Sequence, residues 1–321
     1  MSMCQQVLTE HCNTIIKSAR IRNRIVILCE GDVPNSEIRT PSEYGKMEKM
    51  PDANFYKACV PRWWKNYLPQ FFNCGDRKDV IDTYFKLMEL HKAFPNNSFL
   101  DPDKLFAVVD LDLQLHKINE NYPFQDTDEI FYNLYKHAEI NETDIVRHRI
   151  WITGLVHKEA YFLLPAIQDI FTGYHIQPFF DGIPLNLEKL YVAMSDAIDI
   201  DNDLQNNFDR ASKRIQYCPM LQCQDVYSLK NSWQINFKSA TDDSVRNELV
   251  IALLMIKKAK EHWNQIIPDP DSGWTRKSHI FREDLALKIG GYYSAQTKNS
   301  KEHIPMFFKM LFQTVTGLNS I

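Results

Sequence analysis

The sequence predicts an α/β protein: a mostly parallel sheet flanked by helices, followed by a helical C-terminal region. Three observations predict it. Between residues 21 and 164, four apolar runs alternate with segments of helical periodicity. One of these runs, Leu105-Phe-Ala-Val-Val, passes unbroken into Asp110-Leu-Asp112, as a strand buried on both faces does. From about residue 173 the texture changes to helical periods. The expected division is therefore an α/β domain over 1–172 and a helical region over 173–321.

Taken in order, residues 1–20 read as a short helix of mixed polarity. Ile25-Val-Ile-Leu-Cys29 is a buried strand that ends on Glu30 and Gly31. Residues 33–52 are rich in Pro, Ser, Glu and Lys and read as a loop. Asn54 to Lys65 has helical spacing, interrupted by Pro61. Gln70-Phe-Phe-Asn-Cys is a second apolar run, closed by Gly75. Asp76 to His91 carries Val80, Ile81, Tyr84, Phe85, Leu87 and Met88 on a helical period, with Asp76 or Asp79 as N-cap. Asp126 opens another helix, running from Ile130 to His137. Arg149 to Thr153 is the fourth apolar run. Leu185 to Ile198, Val245 to Ile266, Phe281 to Ile289 and Pro305 to Leu318 read as helices. Pro268 to Gly273 reads as a loop.

Composition bounds the function classes. The chain has 321 residues and a net charge of −4, with only 10 glycines, which disfavours turn-rich sandwiches and propellers. Its seven cysteines are odd in number, irregularly spaced and without a CxxC pair, as in a reduced, cytoplasmic protein. The N-terminus does not read as a signal peptide, and no apolar run approaches the ~20 residues of a membrane span. The aromatic cluster Trp63, Trp64, Tyr67, Phe71 and Phe72 reads as core or interface.

The chemistry is expected at the strand ends. Strands of a parallel sheet point their carboxyl ends to one edge, so Glu30, Asp110 and Asp112 converge there. In extended chain, residues i and i+2 face the same way, so Asp110 and Asp112 share a side. Paired carboxylates repel unless a proton or cation sits between them. Mg²⁺ or Mn²⁺ is the natural guest, and such an ion polarises a phosphoryl group. His157 reads as a polar loop residue.

The ordered set of a strand ending in Glu30-Gly31, a strand ending in Gly75 and a strand ending in Asp110-x-Asp112 resembles the Toprim domain, over roughly residues 21–164. The segment Trp151-Ile-Thr-Gly-Leu-Val-His-Lys-Glu159-Ala-Tyr-Phe-Leu-Leu is similar to the stretch after that strand in OLD-like and RloB-like bacterial defence nucleases. The resemblance implies a Mg²⁺-dependent nuclease acting on DNA or on RNA such as tRNA, in anti-phage defence. Glu30 would act as ligand or base, and Asp110, Asp112 and Glu159 as metal ligands. It further implies a catalytic Lys277 and nucleic-acid contacts from Gly31, Gly75, Arg276 and Arg282. An ABC-type ATPase partner and a homodimer are also implied by it. The long gap between Glu30 and Asp110 departs from the pattern, as does Asp32 directly after Gly31. Asp-x-Asp after a strand also suits a phosphomonoesterase of the haloacid-dehalogenase type, with Asp110 as nucleophile. A non-catalytic partner-binding module is the third reading.

Overall fold

The computed structural model describes residues 2–33, 50–64, 68–143, 147–296 and 302–317. Most of the 33–52 loop, the ends of the expected Asn54–Lys65 and Pro305–Leu318 helices, and Tyr67 lie outside the described residues.

The protein is α/β, with a four-stranded all-parallel sheet, flanking helices and a helical C-terminal part. The strands are β1 (Val26–Cys29), β2 (Gln70–Asn73), β3 (Leu105–Leu111) and β4 (Ile150–Val156), in the order β2-β1-β3-β4. Every residue of all four is buried, which explains the unbroken apolar runs. Val26 sits opposite both Gln70 and Leu105, so β1 is the hub. The chain leaves β1 towards β2 on one side and leaves β3 towards β4 on the other. That reversal makes the carboxyl ends of β1 and β3 the switch point, where open parallel sheets bind ligands.

The helices arise from local chemistry. Helix α1 spans Gln5–Ile16 and buries Leu8, Cys12, Ile15 and Ile16. Helix α2 (Pro51–Cys59) starts on a proline and stops before Pro61, with Val60 already extended. Helix α3 (Arg77–Ala93) opens with a reciprocal capping box: Asp76 accepts from the Asp79 N–H, and Asp79 accepts from the Asp76 N–H. Helix α4 (Thr127–Leu134) is capped by Asp126 and ends earlier than its pattern implies. Tyr135–Lys136 instead pairs with Glu139–Ile140.

The carboxyl ends of β1 and β2 are tied by two glycines. Gly31 and Gly75 exchange backbone hydrogen bonds of 2.9 and 2.8 Å, at φ of +144° and +87°. A Cβ on Gly31 would lie 2.6 Å from Asn73 Nδ2, and one on Gly75 would lie 2.4 Å from Asp79 Oδ2. Both positions therefore require glycine for the sheet itself.

By contacts the chain forms two compact units: Met1–Asp110 with His116–Ile152 and Gly290–Ile321, and Leu111–Leu115 with Thr153–Ile289. The change of texture near 172 is not one of their borders. In the first unit, the last helix returns to pack an aromatic core, where Trp64 meets Phe308 at 5.8 Å and Trp151 meets Phe307 at 5.0 Å.

The second unit holds α5 (Gln168–Thr172), α6 (Leu187–Asp196), α7 (Asn202–Asn206), α8 (Phe208–Arg214), α9 (Val226–Ser239), α10 (Asp243–Leu254) and α11 (Lys260–Asn264). Helix α12 (Ser278–Tyr293) begins there, and α13 (His303–Thr316) ends the described chain. Val245–Ile266, expected as one helix, is broken between Leu254 and Lys260. Lys257 and Lys258 turn there to bind Asp201 and Asp203. This unit also contains a three-stranded antiparallel sheet, with Pro178–Phe180 between Ile183–Pro184 and Ile267–Pro268. Strands of two or three residues that include proline carry no periodicity signal. Among the described residues no helix is long and apolar enough to cross a membrane.

Cys12, Cys29, Cys59, Cys74 and Cys218 are buried, Cys223 is half-buried and Cys4 is exposed. Burial pushes the Cys12 and Cys218 thiols up to about 12. Thiolates are the reactive species, so iodoacetamide should modify Cys4 first in the native protein and Cys223 more slowly. The five buried cysteines should react only in denaturant, as mass spectrometry of the alkylated peptides would show. Rapid alkylation of Cys74 in the native chain would contradict its burial.

Candidate metal centre

β1 and β3 lie side by side, so the residue after β1 meets the end of β3. The Glu30 carboxylate accepts the Asp110 backbone N–H at 2.8 Å, joining the two strand ends across the switch point. Asp110 is the sixth residue of β3 and is only 8% exposed.

β4 runs next to β3 and brings the remaining acid. The Leu111 N–H donates to Thr153 Oγ1 at 2.7 Å, and the Thr153 hydroxyl donates on to the Leu155 carbonyl at 2.9 Å. His157 comes directly after β4, and its N–H reaches the Leu111 carbonyl at 3.3 Å. Its backbone stands at φ 64°, ψ 152°, a region that side-chain-bearing residues seldom occupy. A 3₁₀ turn then begins at Lys158 and carries Glu159 inward. One ligand atom from each of His157 and Glu159 lies within 4.8 Å of the other.

Glu159 is the most informative member. It is 5% exposed; one carboxylate oxygen meets Lys158 Nζ at 3.2 Å, while Oε2 is buried without a hydrogen-bond partner. Burial pushes this carboxyl up, but Lys158, Lys260, a hydrogen bond from its own backbone N–H and His157 outweigh it and hold it below the ordinary range. The Lys158 ammonium supplies a cation to one oxygen of this carboxylate and leaves the other without a donor. His157 and Glu159 thus offer an imidazole and a carboxylate oxygen side by side, donors that suit a divalent cation.

Asp112 departs from expectation. β3 ends at Leu111, so alternation no longer aims the Asp112 side chain. Its Oδ1 accepts the next N–H, that of Leu113, at 2.6 Å. Its carbonyl is bound by Arg214 (2.8 Å) and that of Leu113 by Arg210 (2.7 Å). Its charge acts instead on Lys258. Burial pulls that ammonium down, but Asp203, Asp112 and Asp201 together raise it.

The residues expected to touch nucleic acid have other surroundings. Gly31 and Gly75 pair with each other. Arg282 donates to the Ile266 carbonyl at 3.0 Å, Arg276 lies 5.9 Å from the Trp274 ring centre, and Lys277 is exposed just before α12. His157, which reads from sequence as a loop residue, lies beside Glu159. Its only sequence signal is its place between an apolar strand and a buried acid two residues on. Thr153, Arg210 and Arg214, which hold the rim's backbone, carry no sequence signal at all. Comparison with family models, with curated proteins and with solved structures yields no match.

Proposed function

We propose that the chain is a divalent-metal-dependent phosphodiesterase acting on nucleic acid. The observation that carries the reading is the Glu30 carboxylate bound to the Asp110 peptide at the switch point between β1 and β3 of a parallel sheet. Asp110, with Glu30 beside it, would hold the ion. Bound there, the ion supplies a lowered-pKa water and polarises the phosphoryl group.

The remaining roles belong to the chain's own residues. Glu30 fixes the Asp110 peptide through the 2.8 Å hydrogen bond, and so fixes where that carboxylate starts from. Lys158 and Lys260 hold positive charge beside Glu159, which favours an anionic substrate and keeps the carboxylate ionised. Arg210 and Arg214 pin the turn after β3. The defence setting and the ATPase partner rest on the Toprim resemblance of residues 21–164 and are part of the same proposal.

The test uses the full chain with supercoiled plasmid and with tRNA, in Mg²⁺ and in Mn²⁺. Asp110→Asn keeps the shape and removes a ligand charge, and should lower cleavage at least about a hundred-fold. Equal cleavage by wild type and Asp110→Asn, or none by either with any substrate and ion, would overturn the reading.

A further inference from the structure

We propose that a cleft in the first compact unit binds a free nucleotide, with the base against Phe85 and Tyr122 and the phosphates at Lys92 and Lys117. The inference goes beyond the metal-dependent reading and does not rest on it, because no residue of the carboxyl rim takes part.

The cleft holds about 970 Å³ and is lined by α1, by α3 from Ile81 to Lys92 and by residues 117–122. That is the size of a pocket for one small molecule. All of its lining residues belong to the first unit. Tyr122 marks its place in the fold. Its hydroxyl oxygen accepts the Arg149 and Ile150 N–H groups at 3.1 and 3.0 Å, where β4 begins. The cleft therefore borders the amino-terminal edge of the sheet, whereas Glu30 and Asp110 stand at the carboxyl ends of their strands.

Three observations give the ligand its chemistry. The first is aromatic surface. Phe85 and Tyr122 line the cleft half-buried, with ring centres 5.9 Å apart, and such rings are what a planar base stacks on. The second is charge. Asp82 and Glu89 also line the cleft, but each is already paired, with Lys78 at 2.6 Å and Lys86 at 3.0 Å. Lys92 and Lys117 are exposed there, and among the described residues no carboxylate pairs with either. Two unspent ammonium groups in a chain of net charge −4 make a local excess of positive charge, which suits phosphate.

The third observation is a set of donors in want of acceptors. Tyr84 is 5% exposed and lines the cleft, and its hydroxyl has no hydrogen-bond partner among the described residues. Its ring centre lies 6.5 Å from that of Tyr122. The Tyr122 oxygen already accepts two N–H groups, so its own proton is left to donate. Arg149, whose charge acts on both hydroxyls, keeps a buried Nη1 without a partner. Buried donors left unsatisfied are costly, and ring nitrogens and carbonyl oxygens of a base would satisfy them.

The full chain is titrated calorimetrically with ATP, GTP, CTP and UTP, without divalent metal or nucleic acid. At least one should bind with a Kd below about 100 μM. The matching nucleoside and inorganic triphosphate should each bind at least about ten-fold more weakly. Lys92→Glu combined with Lys117→Glu sets like charge against the phosphates and should weaken binding at least about ten-fold. Tyr84→Phe removes only the hydroxyl. It should weaken binding about five-fold and leave the melting temperature of the ligand-free protein unchanged or higher.

No binding by any of the four at about 1 mM, or an affinity unchanged in either variant, would overturn the proposal. So would a nucleoside that binds as tightly as its triphosphate, or a single-stranded oligonucleotide that binds where the free nucleotides do not. Failure here leaves the Asp110→Asn cleavage test untouched. A chain that binds a nucleotide in this way but cleaves nothing keeps this inference and sinks the phosphodiesterase reading.

Discussion

Lys257→Ala is expected to destabilise the protein by roughly 3–5 kcal/mol, as breaking one side of a buried ion pair does. The Lys257 ammonium meets the Asp201 carboxylate at 2.5 Å, with the two side chains 4% and 10% exposed. Asp201 also caps α7 by accepting the Leu204 N–H at 3.1 Å. Removing the lysine leaves that buried carboxylate with only its α7 cap and the weaker pull of Lys258. Lys257→Met with Asp201→Leu should recover most of the loss, because apolar replacements of similar volume leave no orphaned charge. The urea midpoint of each variant, converted with its slope, measures the difference. A loss below about 1 kcal/mol in Lys257→Ala would show that water already reaches Asp201. The effect bears on the proposed site: α7 leads directly into α8, whose Arg210 and Arg214 hold the carbonyls after β3.

Acidification should cost the protein about 3 kcal/mol at a single residue, His303. Burial depresses its pKa from 6.5 to about 4, against the smaller opposing pull of the Ala138 carbonyl and Glu139. Its Nε2 lies 2.7 Å from that carbonyl, and its ring packs 4.8 Å from the Tyr135 ring. The folded pKa is below the unfolded one, so the unfolded chain takes up the proton first. Above pH 6.5 both states are neutral here and stability is unaffected. Between pH 6.5 and about 4 the unfolded state gains about 1.36 kcal/mol per unit, and below pH 4 the penalty is constant. His303→Gln retains a donor for the Ala138 carbonyl and cannot titrate. Its unfolding free energy should therefore fall less than that of wild type across this window, by about 3 kcal/mol at pH 4. Parallel pH profiles for the two proteins would refute the assignment.

Much of the fold is legible in the sequence because parallel strands buried on both faces leave unbroken apolar runs. Ile25–Cys29 and Leu105–Val109 could hardly be anything else, and the acids after them fall on one rim, where Glu30 reaches Asp110. Legibility fails where a residue's direction depends on chain outside its own segment. Alternation puts Asp112 beside Asp110, but the strand stops one residue earlier and the side chain takes its neighbour's N–H. His157 comes beside Glu159 through a backbone conformation that no local pattern announces. The 245–266 period reads as one helix, yet Lys257 and Lys258 are claimed by aspartates more than fifty positions upstream.

The small antiparallel sheet also bears on the behaviour of the protein at high concentration. Its two outer strands present β-branched side chains to water, Ile183 at 39% and Ile267 at 37% exposure, as aggregation-prone borders do. Each of those isoleucines is followed by a proline, Pro184 and Pro268, which has no amide hydrogen to offer an incoming chain. Neither border of this small sheet can therefore template intermolecular β-pairing over its full length.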